Sequence, residues 1–119
     1  MKFSQTHEWV AVSGDVGIVG ITEHARRELG DIVYLQLPQI GAHIKAGDEV
    51  AILESTKAAA DIYTPVSGEI LAIHEDLVEN LDLINKTPEK EGWLFKIKLL
   101  DLNELENLLE KHAYLKLIN

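Results

Sequence analysis

The chain has 119 residues, 46% of them hydrophobic and 26% charged, and its 20 acidic residues against 11 basic ones leave a formal net charge of −9. That scale suits one globular domain with one core, and an acidic chain with no basic run argues against nucleic acid or an anionic membrane as partner. Cysteine is absent, so disulfides, thiolate catalysis and sulfur-ligated metals are excluded.

The first residues, MKFSQTHEWV, have neither the pattern of a signal peptide nor that of an arginine-rich transit peptide. No apolar run approaches the ~20 residues of a membrane span. Cytoplasm is the expected location; the mitochondrial matrix applies only to a processed chain. VGIVGIT (16–22) is β-rich but carries Gly17 and Gly20, which in a strand mark a bend or a close backbone approach. TEHARRELG (22–30) predicts a short helix, with Thr22 as the N-cap, Glu23 in the first turn, Arg26 and Arg27 later, and Gly30 at its end. DIVYLQLP (31–38) alternates: Val33, Leu35 and Leu37 on one face, Ile32, Tyr34 and Gln36 on the other.

EVAILE (49–54) and AAADIY (58–63) predict two strands paired across a turn at Thr56 and Lys57. Gly47 and Gly68 mark the feet of that hairpin, so Lys57 falls at its far tip. EILAIH (69–74) predicts a further strand. GWLFKIKL (92–99) is a half-buried strand, with Trp93, Phe95, Ile97 and Leu99 alternating against Leu94, Lys96 and Lys98. The period changes in DLNELENLLEKH (101–112), where Leu102, Leu105, Leu108 and Leu109 form one helical stripe. Asp101 and Glu104 there have capping-box spacing. Many short strands with glycine turns predict a β-sandwich or small barrel over residues 1–119 as one domain, with a C-terminal amphipathic helix at about 101–112.

Lys57 stands among Ser55, Thr56, Ala58, Ala59 and Ala60, with nothing bulky beside it. An exposed amine that no neighbour desolvates is a poor catalytic nucleophile at neutral pH. It is a good target for an acylating enzyme, because small neighbours give access and the strands fix its place; a solvated turn lysine without a role is the plainer reading. His7, His24, His43, His74 and His112 lie far apart, with no metal-site spacing. The chain lacks a phosphate-binding glycine loop and a nucleophile elbow. The residues alone point to a β-rich carrier or binding module rather than an enzyme.

At ESTKAAADIYTPVSGEI (54–70) the sequence resembles the H-protein family of the glycine cleavage system, whose lipoylated lysine sits in an ES-x-K-A context before a DIY-x-PVSGE-like segment. THEWV (6–10), VGITEHARRELGDIVYLQLPQIG (19–41), LIN (83–85) and EGWLFKIK (91–98) look like further family signatures, in order and at matching separations. The resemblance implies a barrel-sandwich hybrid of two antiparallel sheets, with lipoate covalently attached to Lys57. It implies a carrier without catalysis of its own. The arm takes an aminomethyl group from glycine decarboxylase (P protein), yields it to the aminomethyltransferase (T protein), and is reoxidised by dihydrolipoyl dehydrogenase (L protein). Lipoyl-attaching enzymes are implied partners too, with Glu54 as a recognition feature, and the chain is expected to act as a monomer.

The positions matching the family's arm contacts are Glu8, Asp61, Thr6 and Ile21, where Glu8 or Asp61 would hold the protonated amine of the cargo. Departures from the family pattern are His74 for a usual asparagine, Leu81 for a common proline, TPEKEGW (87–93) without its usual tyrosine-glycine, and Glu28 at a position of variable polarity. An H-like carrier that relays lipoyl groups to other complexes is the alternative function. A biotinyl carrier is disfavoured, since Thr56 and Ala58 stand where biotin sites carry methionines, and an unmodified acidic binding module is the remaining reading.

Overall fold

The computed structural model describes all residues, Met1–Asn119. The elements in chain order are β1 (Lys2–Phe3), β2 (Glu8–Ser13), β3 (Val16–Ile21), α1 (Glu23–Leu29), β4 (Ile32–Gln36), β5 (His43–Ile44) and β6 (Glu49–Ser55). They continue with β7 (Ala59–Tyr63), β8 (Gly68–Ile73), α2 (Asp76–Glu79), α3 (Asp82–Lys86), β9 (Phe95–Leu99), a 3-10 helix (Leu102–Asn107) and α4 (Lys111–Ile118). Two antiparallel sheets result, as expected. One has six strands in the order β1-β2-β3-β9-β8-β5 and the other three in the order β4-β6-β7. No helix is long and apolar enough to cross a membrane.

The core lies between the sheets. Val19, Ile21, Phe95, Ile97 and Ile70 from the larger sheet meet Ile32, Leu35, Leu53 and Ile62 from the smaller one, all in one buried cluster. Each such side chain contributes roughly 1.5–3 kcal/mol when removed from water. Phe3, Trp9 and Tyr114 form a second cluster outside this core, with the Phe3 and Tyr114 rings stacked at 4.7 Å. Trp9 lies flat over its register partner Gly20, where a Cβ would come within 2.8 Å of the indole.

The predicted α1 is present. The Thr22 hydroxyl accepts from the Ala25 amide at 3.1 Å, and Gly30 closes the last turn at φ +85°. In β9, Phe95, Ile97 and Leu99 are buried as the alternation predicts, but just before it the pattern fails: Leu94 is wholly buried and Trp93 only half-buried. β4 departs from its predicted alternation. Ile32 pairs with Ser55, yet Tyr34 pairs with Glu54, so one extra residue is inserted on β4. The bulge lets both Ile32 and Leu35 reach the core and leaves Val33 and Tyr34 exposed side by side. Burial of two large side chains outweighs strict alternation.

The C-terminal stretch is a second correction, since 101–112 is not one α-helix. Residues Leu102–Asn107 form a 3-10 helix, and α4 begins only at Lys111. Between them the chain is pulled into strand pairing: Phe3 and Leu109 exchange two backbone hydrogen bonds of 2.8 and 2.7 Å. Asp101 does cap, accepting from the Asn103 amide at 2.9 Å. Glu104 completes no capping box, because its carboxylate holds the Ser67 amide at 2.8 Å and the Ser67 hydroxyl at 2.7 Å. Residues 76–86 form two short helices, α2 and α3, that anchor by burying Leu77 and Ile84.

Gly68 is not the hairpin's foot, since β7 ends at Tyr63; it opens β8 in the other sheet and is tightly enclosed, where a Cβ would lie 1.9 Å from the Lys98 carbonyl oxygen. Gly68→Ala must therefore separate β8 from β9 locally. The expected cost is about 3 kcal/mol or more, in the range of core overpacking. Urea unfolding measures it, and a loss below about 1 kcal/mol would contradict this close approach.

Candidate functional site

Lys57 stands at the tip of the β6–β7 hairpin, as the sequence predicts. Ser55 organises the turn. Its hydroxyl oxygen accepts from the Lys57 and Ala58 amides, both at 3.0 Å, and its backbone amide donates to the Ala58 carbonyl at 2.8 Å. Thr56 donates its amide to the Asp31 carbonyl at 3.1 Å, tying the tip to the junction between α1 and β4. That junction is fixed in turn by Asn85, whose side-chain amide accepts from the Ile32 N–H at 2.8 Å and donates to the Ile32 carbonyl at 3.3 Å. The backbone at the tip is thus satisfied locally, and the turn needs no lysine contact to hold it.

The Lys57 ammonium makes no hydrogen bond or ion pair within the chain, and the residue is exposed. Its stem passes over Gly30, where a Cβ would lie 3.3 Å from Lys57 Cε. Gly30 therefore serves twice, ending α1 at positive φ and leaving the stem room. The sequence shows the first role and conceals the second.

Glu8 is 1% exposed and opens β2. The turn before it carries His7 at φ +73°, which folds the Ser4 and Thr6 hydroxyls onto the carboxylate. Ser4 donates to Glu8 Oε1 at 2.7 Å, Thr6 donates to the same oxygen, and the Tyr63 amide of the other sheet reaches Oε2 at 3.4 Å. Burial raises the Glu8 pKa above its ordinary value, and the hydrogen bonds from Thr6, Ser4 and Tyr63 oppose this in part. Oε2 receives only the long bond and keeps acceptor capacity. An open cleft of about 400 Å³ adjoins this group, walled by Ser4, Thr6, Tyr63, Thr64 and Pro65.

The structure thus brings Thr6 to Glu8. Ile21 is the register partner of Glu8 and is wholly buried, so it supports Glu8 from the core side. Asp61 is exposed on β7, two residues before Tyr63, and its carboxylate has no hydrogen-bond or ion-pair partner in the chain. Glu54 is exposed on β6, opposite Tyr34 on one side and Ala59 on the other. Nothing in the sequence singles out Ser4 or Tyr63; only the fold puts them beside Glu8.

The histidines are less scattered than their spacing suggests. The His7 and His24 rings stand 4.7 Å apart, and His24 reaches Glu28 at 3.3 Å. Burial, and then the neighbouring His24, lower the His7 pKa, while Glu28 acts in the opposite sense. His7 Nδ1 and the Thr22 hydroxyl both meet the Tyr114 hydroxyl, at 2.7 and 2.8 Å, which pins α4 to the start of α1. His74 stacks on Trp93 at 4.2 Å. No group of three His, Cys, Asp or Glu side chains is placed to hold a metal ion.

Comparison with known proteins supports the same reading. The family model described as glycine cleavage H-protein matches residues 1–119. The glycine cleavage system H protein of Thermotoga maritima is 52% identical over 113 residues, covering 95% of this chain and 91% of that protein. Its namesake in Methylacidiphilum infernorum is 53% identical over 116 residues, covering 98% and 91%. The crystal structure of a glycine cleavage system H protein from Mycobacterium marinum superposes with a TM-score of 0.88 at 31% identity, covering 97% of this chain and 93% of that one.

The buried Glu8 carboxyl makes a signed prediction. A raised folded-state pKa gives stability that is full below the ordinary value of 4.5 and is lost as pH rises through the raised value. Glu8→Gln has no such titration. Its unfolding free energy, relative to the parent, should therefore increase as pH rises through that window. Urea melts at a series of pH values measure this, and parallel profiles for the two proteins would refute it.

Proposed function

The chain belongs to the glycine cleavage H-protein family, and from that premise we propose that it is the lipoyl carrier of glycine cleavage, with lipoate amide-linked to Lys57 Nζ. The observation that carries the reading is the lysine's setting: an exposed amine without a partner, on a turn whose backbone is satisfied without it. The residues present fit a covalent acyl group. Nothing binds the amine, Gly30 leaves space along the stem, and Ala58 and Ala59 add no bulk. When bound, the lipoyl group supplies a reducible disulfide that accepts an aminomethyl group and electrons.

The chain's own part is positioning. Ser55 and the Thr56–Asp31 hydrogen bond fix the root of the arm while leaving the arm free to swing. β7 leads from that root past Asp61 to Tyr63, whose amide meets Glu8. In our reading Glu8 accepts a charge-assisted hydrogen bond from the protonated amine of the cargo, with Asp61 as an acid along the way. Thr6 and Ser4 hold the Glu8 carboxylate in place. The cleft walls, Ser4, Thr6, Tyr63, Thr64 and Pro65, would shield one side of the labile cargo. In this reading the chain carries the arm and catalyses no step itself. Glycine decarboxylase, the aminomethyltransferase and dihydrolipoyl dehydrogenase act on the arm in turn, after a lipoyl-attaching enzyme guided by Glu54 has installed it.

Intact mass after expression in lipoate-competent cells is the direct test. A lipoyl-sized increment is expected on the parent and absent from Lys57→Arg; no increment under any competent condition would sink the carrier reading. The lipoylated protein should also support exchange of labelled CO2 into glycine by the decarboxylase. Lack of exchange would favour relay of lipoyl groups to other complexes. On loaded protein, Glu8→Gln is expected to shorten the cargo's lifetime about tenfold, the effect of losing roughly 1.4 kcal/mol of a charge-assisted bond. An unchanged release rate removes Glu8 from the arm site.

A further inference from the structure

The β4 bulge creates an apolar surface beside the hairpin, and its Val33 and Tyr34 take no part in the arm site. Cross-strand register places Tyr34, Glu54 and Ala59 in one row and Gln36, Ile52 and Asp61 in the next, along the side of the three-stranded sheet that faces away from the core. Tyr34 and its neighbour Val33 are 47% and 55% exposed. An aromatic and a β-branched side chain standing together in water, with half-buried Ile52 close behind, form the apolar centre of this face. No segment of the chain covers it: β4 is an edge strand, and the core residues Ile32 and Leu35 point the other way.

The rim is one-signed. The strands IVYLQ, EVAILES and AADIY contain Glu49, Glu54 and Asp61 and not one lysine, arginine or histidine. Asp31 adds a fourth carboxylate just before β4. The face is also continuous with the Lys57 tip, since Tyr34 stands opposite Glu54 and Ile32 opposite Ser55. An aromatic centre with a charged rim is the pattern of an energetic interface core surrounded by steering charge.

We propose that this outer sheet face, centred on Val33 and Tyr34 and rimmed by Glu54, is the docking surface for a protein that presents an apolar patch bordered by lysine and arginine beside the opening that receives the Lys57 arm. The partner chemistry follows from charge complementarity and from continuity with the tip. The identity of that protein as an enzyme of glycine cleavage rests on the function proposed above. A free edge also invites a second copy of this chain, but four carboxylates on each copy would repel one another.

The test uses the full chain in unmodified and lipoylated forms, with lipoylation scored separately by intact mass. Binding to the decarboxylase, the aminomethyltransferase and the dehydrogenase is measured by surface plasmon resonance at several salt concentrations. The probes are the parent, Val33→Ser/Tyr34→Ser, Glu54→Gln, and Glu106→Gln on the distant 3-10 helix. Thermal melts check that each folds, which exposed positions favour. Loss of the apolar pair should weaken binding to at least one enzyme by about tenfold or more, mainly through faster dissociation. Glu54→Gln should slow association and flatten its salt dependence, while Glu106→Gln should do neither. Affinities unchanged by the double variant, or no binding of the parent to any of the three enzymes in either form, overturn the proposal. Self-association of the parent that the double variant abolishes would assign the face to a second copy instead. The lipoyl reading stands or falls on the mass alone, so the two failures are distinct.

Discussion

The structure depends most on how the hairpin tip satisfies its own backbone. A loop that projects one side chain far from the core cannot use packing to stay ordered, so hydrogen bonds must do it. Ser55 supplies several of them from one hydroxyl, and Asp31 supplies the tether to the rest of the molecule. Asn85 extends the chain of constraint to α3, where Ile84 is wholly buried. The tip is therefore tied to the core through polar contacts of Ser55, Asp31 and Asn85, with the Lys57 side-chain amine left out of all of them. An ordered root with an unengaged amine is what a swinging attachment requires. Had the amine been part of the turn's own bonding, acylation would disrupt the turn.

The second constraint is the carboxylate buried at the join of the two sheets. Glu8 takes hydroxyls from its own turn on one oxygen and an amide from β7 on the other. Burial of a carboxylate is unfavourable unless its lone pairs are met. Here one oxygen is well met and the other only weakly, which is why burial still prevails and the pKa stays raised. A group in that condition responds strongly to a cation. An ammonium delivered to Oε2 would replace a weak bond with a charge-assisted one in a medium of low dielectric. The same imperfection that costs stability at neutral pH leaves binding capacity.

Much of this was legible in the sequence, and the exceptions have physical reasons. Local signals held where local interactions decide: Thr22 and Gly30 bound α1, and small residues about Lys57 marked the tip. Alternation held in β9, whose one face meets the core. It failed in β4, because the sheet's need for both Ile32 and Leu35 inserted a bulge that no periodicity records. The leucine stripe at 101–112 failed because Phe3, far away in sequence, claims Leu109 as a strand partner, and Ser67 claims Glu104. At the site, Lys57 and Glu8 could be named from the family resemblance. Ser4, Tyr63 and the space over Gly30 are properties of chain crossings, and no linear pattern contains them.

The net charge gains meaning once it is placed on the fold. Lys2, Lys96 and Lys98 lie on the six-stranded sheet together with Glu8 and Glu69, while the three-stranded sheet carries acids and no base along its strands. The outer face of the hairpin sheet is therefore uniformly negative along its strands. A partner with a positive field is turned to meet that face before contact, which speeds productive encounter more than it deepens binding. Lys57 is the one cation among the residues of the hairpin, and acylation of its amine removes that charge. The modified protein thus presents a more uniformly negative face than the unmodified one. Acylation at Lys57 would thus change the field that a partner meets, without any change of fold.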